Sequence, residues 1–156
     1  MQRHLIGTLV VLGVAAGYVM PAGAHVLLKP KEARAGSDAE IAFIVPHGCD
    51  GSATTGLRVR IPDGVVGVKP QAKSGWTLDT KAGEVAWTGG RLPDKVNETF
   101  GLQVTLPDTP GATLYFPVVQ ECEKGIHRWI EIPSVQQVSD RLREPAPALK
   151  LTPKTP

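Results

Sequence analysis

The run Phe100-Gly101-Leu102-Gln103-Val104-Thr105-Leu106, stopped by Pro107-Asp108-Thr109-Pro110-Gly111, carries the fold signal of this chain. Apolar residues fall at every second position, the period of a half-buried strand, and the stop is rich in residues that cannot continue one. The same pattern appears in Leu57-Arg58-Val59-Arg60-Ile61, which ends at Pro62-Asp63-Gly64, and in Ile126-His127-Arg128-Trp129-Ile130-Glu131-Ile132. No stretch between His25 and Pro133 keeps a 3.6-residue period. About seven to nine strands at this spacing predict an all-β fold, an antiparallel β-sandwich.

Composition agrees. Of 156 residues, 17 are Gly and 14 are Pro, punctuation that suits short strands and turns better than a helical bundle. Hydrophobic content of 42% excludes a disordered or collagen-like chain. Seventeen Lys and Arg stand against 15 Asp and Glu, a net charge of +2, so no basic face for nucleic acid is indicated. No internal repeat is visible.

The first 24 residues read as a secretory signal peptide. Met1-Gln2-Arg3-His4 is a short cationic head, Leu5 to Met20 is mostly apolar, and Ala22-Gly23-Ala24 fits the small-x-small cleavage rule. An uncleaved anchor is the alternative, but the apolar run is only about 16 residues long. No later run is long enough to span a bilayer, so an exported protein without a membrane span is expected, in the periplasm or released from the cell. The domain is expected over 25–134. Residues 135–156 hold Pro145, Pro147, Pro153 and Pro156 and read as a mobile tail, with a helical turn or two over Val135 to Arg143.

Export governs the reading of the two cysteines, Cys49 and Cys122. In an oxidising compartment the default is one disulfide. Cys49 continues the column Ile41, Phe43, Val45, and Cys122 continues Leu114, Phe116, Val118, so both thiols point to the core on parity. A soft-metal site of two thiolates is the alternative.

Cleavage after Ala24 would make His25 the first residue, with a free α-amine. Such an amine titrates near 7.7–8.0 and an imidazole near 6.5, so a metal displaces both protons around neutral pH. Closely spaced nitrogen donors suit Cu(II). An exposed terminal His with no role is the plain alternative.

His25-Val26, Pro46-His47-Gly48-Cys49-Asp50-Gly51-Ser52, Gly75-Trp76, Trp87-Thr88-Gly89-Gly90, Leu114-Tyr115-Phe116-Pro117-Val118-Val119-Gln120 and Gly125-Ile126-His127-Arg128-Trp129-Ile130-Glu131-Ile132-Pro133 resemble the YcnI-like family of small exported bacterial domains. The resemblance spans about residues 25 to 134. It implies a cupredoxin-like or immunoglobulin-like sandwich that holds Cu(II) in a single-histidine brace, formed by the terminal His, a carboxylate and a Trp. His25 matches the histidine and Trp129 the tryptophan. Parity sets His127, Trp129 and Glu131 opposite Ile126, Arg128, Ile130 and Ile132, which places Trp129 at a site rather than in the main core.

The carboxylate falls on Glu98 in Asn97-Glu98-Thr99-Phe100, where the family tends to carry two acids and this chain has Glu and Thr. Glu98 shares the parity of Phe100, Leu102 and Val104, and an inward acid needs a cation or a metal. Glu121 and Glu131 are the fallbacks. His47 reads as structural, His127 as an optional second nitrogen ligand, and the Asn97-Glu98-Thr99 sequon as idle in a bacterium. Nothing specifies a hydrolase. The expected function is therefore Cu(II) buffering or delivery to another copper-handling protein, periplasmic or membrane-bound, without catalysis. A histidine-brace oxidative enzyme and a metal-free interaction domain are the competing readings.

Overall fold

A computed structural model describes residues 25–134 and 142–154. The expected signal peptide and most of the expected helical turns lie outside the described residues. Twelve strands occur within them: β1 (Leu27–Lys29), β2 (Glu32–Arg34), β3 (Asp38–Val45), β4 (Thr54–Arg60), β5 (Val66–Pro70), β6 (Thr77–Lys81), β7 (Glu84–Leu92), β8 (Glu98–Thr105), β9 (Thr113–Tyr115), β10 (Val118–Cys122), β11 (Ile126–Trp129) and β12 (Ala148–Thr152). That exceeds the seven to nine expected, partly because prolines divide runs that read as single strands. Pro30 separates β1 from β2. Pro117, which has no N–H to donate, separates β9 from β10.

The strands form three sheets, ordered β1-β3-β8-β5, β11-β10-β4-β7-β6 and β2-β12-β9. All neighbours are antiparallel except β2 and β12. The two larger sheets pack as a sandwich with one apolar core. In the first, Phe43 faces Phe100 across the β3–β8 ladder and Ile41 faces Leu102. The second contributes Leu57, Val59, Trp87 and Val118. Trp87 of β7 meets Phe100 of β8 edge-on, with ring centroids 5.4 Å apart, so an aromatic pair joins the two layers. Among the described residues no helix is long and apolar enough to cross a membrane.

The expectation of a mobile tail fails for its second half. Ala148-Leu149-Lys150-Leu151-Thr152 is itself an alternating run, and as β12 it lies between β2 and β9 with Leu149 and Leu151 fully buried. Average composition hid a five-residue strand among prolines that merely flank it. The segment before it is also tied down: Glu131 N–H donates to the Glu144 carbonyl at 3.0 Å, and Ala146 N–H to the Glu131 carbonyl at 2.8 Å. The domain therefore does not stop at residue 134.

Cys49 and Cys122 form a disulfide, with Cα atoms 6.0 Å apart, which removes the thiolate-metal alternative. It lies beside a tight turn. Cys49 and Ser52 exchange backbone hydrogen bonds at 3.1 and 2.9 Å, and Asp50 and Gly51 both adopt positive φ, the geometry that Asp-Gly accepts most readily.

Candidate metal centre

The three histidines of the described chain reach one end of the sandwich from three different places. His25 precedes β1, His47 lies between β3 and β4, and His127 is on β11. His25 and His127 meet at the Trp129 indole, and His47 lies beside His127. The His25 ring meets the indole edge-on at 5.5 Å, the His127 ring is tilted against it at 4.9 Å, and the His47 ring is 6.4 Å from that of His127. His25 and Trp129, singled out in the sequence, are thus brought together.

Trp129 does not stand apart from the core, however. It is 3% exposed and belongs to the core cluster, whereas Ile126, Ile130 and Ile132 are exposed. Within β11 the buried face is the one that carries His127 and Trp129, while Glu131, of the same parity but past the strand's end, is exposed. The reason is polar as well as apolar: the Trp129 indole N–H donates to Gln120 Oε1 at 3.0 Å inside the sheet. A large ring whose single donor is satisfied buries more area than an isoleucine.

His127 is oriented by Glu144. Its Nδ1 lies 2.7 Å from Glu144 Oε1, and the second carboxylate oxygen accepts the Arg128 N–H at 3.1 Å. An ionised carboxylate only accepts, so Nδ1 carries a proton toward Glu144 and Nε2 is the ring nitrogen that Glu144 does not engage. Glu144 was missed because it lies in the segment read as tail. The His47 loop is held from both sides: Gly48 N–H donates to Asp94 Oδ1 at 2.9 Å, and Gln120 Nε2 donates to the His47 carbonyl at 2.7 Å. His127, the optional second ligand of the sequence reading, therefore sits against Trp129, and His47, read there as structural, sits beside His127.

Glu98 has its expected cation, and it is a lysine. Lys73 Nζ is 2.7 Å from Glu98 Oε1 and also donates to the Thr99 carbonyl at 3.0 Å. This ion pair, with the Thr99 N–H bond as second cause, holds the Glu98 carboxyl below its ordinary value. Register still puts Glu98 at the same sheet end as His25. Leu27 of β1 faces Ile44 of β3, and Val45 of β3 faces Glu98 of β8. The fallback acids are engaged elsewhere. Glu121 accepts from Arg58 at 2.9 Å, a bond that raises the arginine further, and Glu131 accepts the Glu144 N–H at 2.9 Å.

The donor chemistry is nitrogen-rich. Among the described residues no three His, Cys, Asp or Glu side chains stand together as a ready metal-ligand set. A metal here would depend on His25 supplying its amine as well as its ring, with the His47 and His127 rings and the Glu98 carboxylate at the same end of the fold.

No curated protein matches the chain. Among solved structures, an uncharacterised protein from Nocardia farcinica with an immunoglobulin-like fold is similar over 83% of this chain and 99% of its own, with 25% identity and a TM-score of 0.69. The sixth cohesin of scaffoldin B from Acetivibrio cellulolyticus aligns over 83% of this chain and 99% of its own, at 11% identity and a TM-score of 0.47. The first likeness agrees with the immunoglobulin-like sandwich described above. The model of the family described as "Domain of unknown function (DUF1775)" matches residues 25–86 and 79–151, from His25 into β12, and the chain therefore belongs to that family, the YcnI-like domains.

Proposed function

We propose that this is an exported, periplasmic Cu(II)-binding protein that buffers copper or hands it to another copper-handling protein, without catalysing a reaction. The observation that carries the reading is the packing of His25, the residue after the expected cleavage site, against Trp129 with two further imidazoles at the same end of the fold. After cleavage His25 offers two nitrogens from one residue, and Cu(II) heads the affinity order for such donors. Glu98 is the carboxylate of choice for a third contact, released from Lys73. Trp129 walls the site and excludes water from one side. The disulfide fits an oxidising compartment.

Cu(II) titrations of the protein beginning at His25, of a Met-extended form and of His25→Ala test this, with the d–d absorption as signal. Both altered forms should bind more than tenfold more weakly, a loss above about 1.4 kcal/mol. Binding by the native form should fall below about pH 6, where protons compete for both nitrogens. Equal affinity and an unchanged spectrum in the Met-extended form would sink the proposal. The position of His47 and His127 favours one second reading, a histidine-brace oxidative enzyme, which needs a second imidazole on the metal. Nitrogen hyperfine splitting distinguishes them: one coordinated imidazole supports the carrier and two support the enzyme.

A further inference from the structure

Gln120 is a buried side chain that touches two parts of this centre. It lies on β10, is 1% exposed, and uses its whole carboxamide. Its Oε1 accepts the Trp129 indole N–H at 3.0 Å, while its Nε2 donates to the His47 carbonyl at 2.7 Å and to Thr54 Oγ1 at 2.8 Å. Only one orientation of the amide satisfies these partners. An indole nitrogen can only donate and a carbonyl can only accept, so a flipped carboxamide would oppose donor to donor and acceptor to acceptor.

The placement has structural logic. Gln120 faces His127 across the β10–β11 ladder and Leu57 across the β10–β4 ladder, so its backbone is fixed on both sides. Trp129, by contrast, lies on β11 at the border of the sheet, where only β10 pairs with it. The ring that His25 packs against is therefore aimed by a side chain on the adjoining inner strand. Apolar packing alone would bury the indole without choosing which edge points at Gln120 and which part is left for His25.

We propose that Gln120 is the positioning residue of this centre: its carboxamide aims the Trp129 ring at His25 and ties the His47 loop to the same frame. The arrangement is a property of the metal-free protein. Its value for copper rests on the function proposed above.

The indole N–H resonances of the metal-free protein, assigned with Trp129→Phe, give the direct readout. In Gln120→Leu the Trp129 indole hydrogen should exchange with solvent at least about tenfold faster, and the ring-current shift of the His25 protons should collapse. Gln120→Glu keeps an acceptor for the indole but loses the donor to His47, so the Trp129 resonance should be retained while the His47 ring protons move. Thr54→Val removes only the third partner, and should lower the melting temperature without altering either signal.

An unmoved Trp129–His25 pair in Gln120→Leu overturns the proposal, as does equal disturbance of that pair by Thr54→Val. Should Gln120→Leu not fold, Gln120→Glu decides: loss of the Trp129 signal there refutes the acceptor role, and its retention upholds it. With Cu(II) added, paramagnetic broadening in the native protein should single out Trp129 among the three indoles and weaken in Gln120→Leu. If the native protein takes up no Cu(II), the proposed function fails, and the metal-free spectra still judge Gln120.

Discussion

Strands β8 and β11 read alike in sequence and fold under different rules. In β8, Phe100, Leu102 and Val104 are buried while Thr99 and Gln103 are exposed, as simple alternation predicts. β8 has β3 on one side and β5 on the other, and its inner face covers the middle of the sandwich. In β11 the alternation survives but Ile126 faces outward and Trp129 inward, and Ile130 and Ile132 beyond the strand are exposed as well. β11 pairs only with β10, and its remaining edge is met by Glu144. Hydrophobicity chooses the buried face where both sides of a strand are committed to the sheet. At the border, a single aromatic with a satisfied donor outweighs three isoleucines.

The largest test of this contrast concerns β12, which resembles β8 in being paired on both sides. Ending the chain after Pro147 removes the fully buried Leu149 and Leu151 together with two ladders. Burial of each leucine contributes about 2–5 kcal/mol against truncation, comparable in sum to the stability of a whole domain. The cooperative thermal transition should vanish. A truncated protein that melts as the full chain does would return this segment to the status of a tail.

Next come the two aromatics. Phe100→Ala and Trp129→Ala should each cost about 3–5 kcal/mol in denaturant unfolding, because both rings are essentially buried. Near-equal values mean that β11 is core in spite of its position. A cost below about 1 kcal/mol for Trp129 would restore the view of it as a site residue first.

A smaller effect belongs to Lys73 and Glu98 at the start of β8. The Glu98 side chain is 39% exposed, so the pair is worth at most about 1 kcal/mol. Because the Glu98 carboxyl lies below its ordinary value in the fold, its contribution is complete above the unfolded value near 4.3 and is lost as pH falls through the lower, folded one. Lys73→Ala should move the Glu98 titration upward, as read from its carboxyl carbon shift. It should also free the acid for a metal, raising Cu(II) affinity if Glu98 is a ligand. The smallest effect is expected at Ile126 on the outward face of β11 and at Ile130 just past its end, where Ile126→Ser and Ile130→Ser should each change stability by no more than about 0.5 kcal/mol.

Alternation and turn residues sufficed for the all-β sandwich and for most strands, since both are written in neighbouring residues. Parity, two cysteines and the expectation of export sufficed for the Cys49–Cys122 bond. His25 and Trp129 came from motif resemblance, and the fold brings their rings into contact. What needed the tertiary structure was every relation between distant segments. Lys73 as the partner of Glu98, Glu144 as the partner of His127, and His47 beside His127 are separated by 17 to 80 residues along the chain. The buried side of β11 and the burial of β12 also depend on which strand lies beside them. A local pattern reports that a strand has two faces, whereas the choice between them is made by the layer it packs on and the polar groups that layer can satisfy.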